Sequence, residues 1–197
     1  MVASARRVRA ALGLPPRPDS ALLPYVNGGM DQLYRSCFDD FLAQDPESHY
    51  ARVKAAYEAD YLANVMVETR MYPGVAAALA GLSQVGKLAC VTNKPEHISR
   101  QLLSELGVGE LFDTVVGGDS CEQPKPHPIM LATAALRCNL DSNATPGSVM
   151  IGDTQADMQM GRAYGVRTVW CAWGYVDAVR DADVEARTPD ELLKIVG

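Results

Sequence analysis

Val149-Met-Ile-Gly-Asp153-Thr-Gln-Ala-Asp157-Met-Gln-Met-Gly161-Arg-Ala-Tyr-Gly165 is the run of sequence from which the rest of the chain can be read. Val149 to Ile151 is apolar and long enough for a buried strand. Gly152 ends it, Asp153 and Thr154 follow, and a helical pattern opens near Ala156. Met158, Gly161, Ala163 and Tyr164 then fall near one helical face. Two carboxylates therefore stand where a strand ends and a helix begins, the usual ligand-binding edge of an open α/β sheet. A helix N-terminus favours an anion there, and paired carboxylates favour a hard cation such as Mg²⁺. A surface turn with an N-cap aspartate has the same local pattern.

Upstream and downstream, strands and helices alternate from about residue 71 onward. Lys87 to Val91 predicts a strand ending at Thr92-Asn93, and Asp113 to Val116 another, ending in Gly117-Gly118-Asp119. Thr168 to Ala172 predicts a fourth. Helices are expected over Val75 to Leu82, Glu96 to Leu106, Pro128 to Asn139 and Pro189 to Val196. Strands separated by helices of this length imply right-handed crossovers and a parallel sheet. Residues 71–197 thus predict a doubly wound, Rossmann-like α/β core. Residues 1–70 are helical in pattern and predict an appended helical unit. Its helices are expected up to Gly13, over Ser20 to Val26, over Met30 to Ala43, and over Glu47 to Glu68. Asn27-Gly28-Gly29 makes a tight turn between two of them, and the Tyr50, Val53, Tyr57, Tyr61 stripe reads as helix–helix core.

Composition narrows the function. The chain has 197 residues, 48% of them hydrophobic, which is ample for a core. A formal charge of −6 and an isoelectric point near 5.0 argue against a dedicated nucleic-acid surface. No apolar run approaches a membrane span, and the first residues read as an amphipathic helix rather than a leader. Cys37, Cys90, Cys121, Cys138 and Cys171 form no close pair, which predicts buried thiols in a reducing cytoplasm. An oligomer is compatible with the sequence, which does not specify one.

Outside the opening run, two other strand-end segments carry polar groups. Thr92-Asn93 offers a hydroxyl and an amide suited to phosphate oxygens, although Asn93-Lys-Pro-Glu96 also fits a helix start. Lys125, in Gln-Pro-Lys-Pro-His-Pro, stands between prolines that stiffen its loop and could neutralise a phosphate; a merely solvated lysine fits as well. His127 reads as a loop-packing or capping residue, and no chemistry is assigned to His49 or His97.

Taken together, Val91-Thr-Asn-Lys-Pro95, Lys125-Pro-His-Pro128 and Ile151-Gly-Asp-Thr-Gln-Ala-Asp157 resemble, in order, the second, third and fourth motifs of the haloacid dehalogenase superfamily. Gly117-Gly118-Asp119 and Trp173-Gly174-Tyr175 bring the resemblance near its phosphoglycolate phosphatase branch, with residues 1–70 similar to that branch's cap. The resemblance implies a Mg²⁺-dependent phosphatase acting on a small phosphorylated metabolite such as 2-phosphoglycolate. It further implies Asp153 as a metal ligand, Asp157 as a second, weaker ligand or a support for the lysine, and Thr92, Asn93 and Lys125 around phosphate. Asn27, Gly28 and Gly29 would face the substrate, with Arg35 one turn beyond as a candidate for a substrate carboxylate.

The family's first motif, an apolar strand ending in Asp-x-Asp-Gly-Thr, is absent. Asp39-Asp40 has the wrong spacing, and Asp181-Ala-Asp183 reads as a solvated turn. In the family that motif supplies the nucleophile, the acid–base and part of the metal site, and its strand lies mid-sheet between those ending at Thr92 and Asp153. Without it, the two neighbouring strands must close the gap or leave unpaired backbone groups inside the core. The expectation is therefore an incomplete phosphatase, or a non-catalytic phosphatase-like binding protein.

Overall fold

The computed structural model describes residues 1–26, 28–141, 143 and 146–197. The helical part comprises α1 (Val2–Ala11), α2 (Asp19–Leu22), α3 (Met30–Cys37), α4 (Asp39–Leu42) and α5 (Pro46–Ala63). The alternating part opens with α6 (Val75–Val85), β1 (Ala89–Val91), α7 (Glu96–Glu105), β2 (Thr114–Val116) and α8 (Ile129–Arg137). It continues through β3 (Val149–Gly152), α9 (Gln155–Tyr164), β4 (Arg167–Cys171), β5 (Val184–Ala186) and α10 (Glu191–Val196).

The helical part has its own core. Val8, Leu33, Phe38, Val53 and Tyr57 are buried together, and Ile98 of α7 joins them across to the α/β part. Burying each such side chain contributes about 1.5–3 kcal/mol. The tyrosine stripe does pack inward, Tyr34 meeting Tyr57 edge-on at 5.5 Å. Arg9, only 1% exposed, binds Asp40 at 2.6 Å and the Cys37 carbonyl at 2.7 Å. That contact is why the helix expected over Met30 to Ala43 is two. With the Cys37 carbonyl taken by a guanidinium, the chain leaves helical backbone at Phe38 (φ −132°) and restarts at Asp39, whose carboxylate accepts the Asp40 N–H. The helix expected to reach Glu68 stops at Ala63, where the Asn64 side chain bonds the Asp60 carbonyl at 2.8 Å.

In the α/β part the strands alternate faces. Val149 and Ile151 of β3, with Val169 and Cys171 of β4, pack beside Ala78 and Leu82 of α6 and Leu192 of α10. Met150 points the other way, toward Met130 and Ala134 of α8 and Met160 of α9. Helices thus cover both faces, and every pairing is parallel, β1 with β2 and β3 with β4 with β5. This is the doubly wound arrangement expected. The three-residue β5 escaped the sequence reading, being too short to show a period. Asp183 anchors it by accepting the Thr168 N–H and hydroxyl at 2.7 and 2.8 Å.

Among the described residues the strands form two sheets, β1–β2 and β3–β4–β5, not one. Val91 and Val116 of the first sheet share a core with Met150 of the second, and Leu88 shares the other core with Val149, so the same helices flank both pieces. β1 and β3 are hydrogen-bonded outward only. The interruption falls between the strands ending at Thr92 and Asp153, where the resemblance implies that a family strand would lie.

Candidate active site

The C-terminal ends of β1 and β3, the loop carrying Lys125 and the start of α3 enclose a cavity of ≈ 250 Å³. Thr92, Lys94, Lys125 and Asp153 line it from the α/β side, and Val26, Gly29 and Met30 from the helical side. Gly29 stands at φ +91°, a left-handed backbone suited to glycine, directly before α3.

At the end of β1, the Thr92 Oγ1 accepts the Lys94 N–H at 3.2 Å, and its hydroxyl proton has no acceptor among the described residues. It can donate to an anion. Asn93 behaves differently from the sequence expectation. Its Oδ1 accepts the Lys125 N–H at 2.8 Å and its Nδ2 donates to the Lys125 carbonyl at 3.4 Å. Both ends of the amide therefore hold the Lys125 backbone, so the contacts Asn93 makes here are those of a positioning residue.

Lys125 Nζ reaches across to Asp157 Oδ1 at 2.8 Å and approaches the Val91 carbonyl at 3.4 Å. Asp157 is 2% exposed. Its Oδ2 accepts the Thr154 hydroxyl at 2.7 Å and the backbone N–H groups of Thr154 and Asp153 at 3.0 and 3.2 Å. Burial acts to raise its pKa, but the Lys125 charge and the bonds from Lys125 and Thr154 outweigh burial and hold it below the ordinary carboxylate value. Both oxygens are thus engaged, and the contacts of Asp157 are those of a support for the lysine and for the start of α9, one of the two roles the resemblance implies.

Asp153 is the remaining carboxylate. Its Oδ2 accepts the Tyr175 N–H at 2.8 Å, while its other oxygen has no hydrogen-bond partner among the described residues. Gly174 permits that contact, since a Cβ there would collide with the Asp153 side chain. Among the described residues no cluster of three His, Cys, Asp or Glu could hold a metal ion. Asp153 alone does not make a Mg²⁺ site.

The substrate loop is placed in part. Gly29 lines the cavity, Gly28 does not, and Asn27 lies outside the described residues. Arg35 does not line the cavity. It pairs with Asp31 at 2.9 Å and sits over the Tyr50 ring at 4.8 Å, 62% exposed. The turn-to-turn spacing that suggested it for a substrate carboxylate satisfies Asp31 on its own helix instead. His127 caps α8, its Nδ1 accepting the Ile129 N–H at 3.2 Å. Lys94 lines the cavity and Thr154 bonds Asp157; the sequence reading passed over both, although both stand inside motifs it quoted.

Residues 1–171 match the family model of haloacid dehalogenase-like hydrolases. The chain belongs to that family. Among haloacid dehalogenase-like relatives, the phosphoglycolate phosphatase of Nitrosococcus oceani is 32% identical over 184 residues, spanning 92% of this chain and 79% of the relative. That of Neisseria meningitidis serogroup A is 30% identical over 195 residues, 98% and 82% of the two chains. The crystal structure of a predicted phosphoglycolate phosphatase from Haemophilus somnus shares the fold, with a TM-score of 0.82 at 24% identity over 100% of this chain and 90% of that one.

Proposed function

We propose that this hydrolase acts on a small phosphomonoester, 2-phosphoglycolate first among candidates, with the phosphate held between Thr92 and Lys125 at the strand edge. The observation that carries this reading is the convergence of those two donors with Asp153 in one cavity roofed by Val26, Gly29 and Met30. The phosphoglycolate phosphatases among its relatives suggest the substrate. Residues 1–70 serve as cap and residues 71–197 as core. The five free cysteines suit a reducing compartment such as the cytoplasm, and among the described residues no helix is long and apolar enough to cross a membrane.

In this reading the Asn93 amide fixes the Lys125 backbone, and the lysine ammonium, aimed by Asp157, faces the phosphate. Thr92 donates its hydroxyl to a phosphate oxygen. The helix α9 presents its N-terminus to the same anion. What these groups do not supply is a nucleophile or a full set of ligands for Mg²⁺. We assign both to carboxylates on an extended segment seated between β1 and β3, whose inner edges lack partners.

Release of inorganic phosphate from 2-phosphoglycolate, with and without Mg²⁺, tests this. The folded 197-residue chain should show no turnover. The same chain fused to an N-terminal apolar strand ending in Asp-x-Asp should gain Mg²⁺-dependent turnover that Asp153→Ala removes. Turnover by the unfused chain that Asp153→Ala abolishes would place the nucleophile elsewhere and sink the strand assignment. Phosphate binding without turnover in the fused chain would favour a phosphatase-like binding protein.

A further inference from the structure

Lys94 differs from Lys125, the other lysine of the cavity. Lys125 is paired with Asp157 at 2.8 Å, whereas the Lys94 ammonium has no hydrogen bond or ion pair among the described residues. Burial and the neighbouring Lys125 charge push its pKa below the ordinary lysine value, while Cys90 and Asp153 pull the other way. A half-buried cation left unpaired beside a second cation destabilises the unliganded protein.

The backbone that presents Lys94 is held on both sides. Its N–H donates to Thr92 Oγ1 at 3.2 Å and its carbonyl accepts the Gly118 N–H at 2.9 Å. A Cβ on Gly118 would lie 2.6 Å from the Asn93 carbonyl oxygen, and one on Gly117 would collide with the Glu96 backbone. Two glycines thus let one loop press against the other and fix where Lys94 stands. Thr92 and Lys125 already serve the phosphate, so the Lys94 ammonium, on a fixed backbone, remains with no function in that reading.

We propose that Lys94 pairs with a second anionic group of the substrate, a carboxylate a few bonds from the phosphate, and so selects among phosphomonoesters. The assignment rests on the phosphatase reading above and specifies its substrate class as carboxylated phosphomonoesters. A lysine suits the task because a single mobile ammonium can follow a carboxylate on a short, flexible chain.

Calorimetric titration with 2-phosphoglycolate, ethyl phosphate and inorganic phosphate tests it without requiring turnover. Wild-type protein should prefer 2-phosphoglycolate over ethyl phosphate. Lys94→Met should weaken 2-phosphoglycolate roughly tenfold, the scale of a charge-assisted hydrogen bond, and change the other two less than about twofold on the same grounds. Lys94→Arg should recover part of the preference. The unliganded Lys94→Met protein should melt no lower than wild type, because the ammonium has no partner to lose. Equal weakening of all three ligands, or no change in any, overturns the assignment. If folded wild-type protein binds none of the three, the phosphatase reading fails and this assignment with it.

Discussion

Lys125 and Asp157 form the tightest ion pair of the cavity, and their side chains are 15% and 4% exposed. Removing one member leaves the other buried without a partner, a loss of about 3 kcal/mol or more. Asp157→Asn should therefore lower the free energy of unfolding by about that amount, read from urea melts at neutral pH. The Asp157 pKa lies below its ordinary value of 3.8 in the folded protein. The unfolded chain then takes up the proton first as pH falls, so the stabilisation is complete above 3.8 and lost on acidification through the lowered folded value. Melts across that range should show the wild-type advantage over Asp157→Asn shrinking; an advantage independent of pH would contradict the pairing. Arg35 gives the opposite expectation. Exposed and paired along its own helix with Asp31, it should tolerate Arg35→Ala with unchanged affinity for 2-phosphoglycolate, and a clear loss would restore it to the substrate site.

At the scale of elements, the cavity depends on loops pressed together at strand ends. Gly118 lies against the Asn93–Glu96 turn, with 2.6 Å between its would-be Cβ and the Asn93 carbonyl oxygen. Gly118→Ala should push that turn away and cost about 1–3 kcal/mol, the usual penalty of overpacking. Because the turn carries Asn93, which holds the Lys125 backbone, phosphate affinity should fall as well. A variant with native stability and native affinity would show that the two loops move independently. The same turn starts α7, whose first residue Glu96 binds Ser120 at 2.6 Å and Arg137 at 2.7 Å. Those bonds hold the Glu96 pKa down to about 2 against the opposing effect of burial, and they join α7, the Gly117–Ser120 loop and α8.

At the scale of the molecule, the two-sheet core makes a prediction about dynamics. Among the described residues β4 is paired on both sides, while β1 and β3 each have one partner. Hydrogen exchange should find the most protected strand amides in β4, with β1 and β3 exchanging faster at amides that face the interruption. An N-terminal fused strand that seats there should slow those amides selectively; uniform protection of all strands in the unfused chain would mean that the two sheets close on each other. Much of this architecture was legible in advance. Strand-to-helix alternation fixes the parallel, doubly wound layers, because an apolar run too short for a helix and flanked by helices must be covered on both faces. The motif order pointed to Thr92, Lys125 and Asp153, which the fold brings to one cavity, since polar groups at and beyond the C-terminal ends of parallel strands converge by topology. Topology says nothing about which partner each side chain takes. That Asn93 holds the Lys125 backbone, that Asp157 bonds the lysine and the start of α9, that Arg35 folds back onto Asp31, and that Lys94 is left unpaired among the described residues are results of distances that only the folded chain sets. Local pattern encodes which backbone forms; only the folded chain decides which of several equally suitable groups comes within hydrogen-bonding reach.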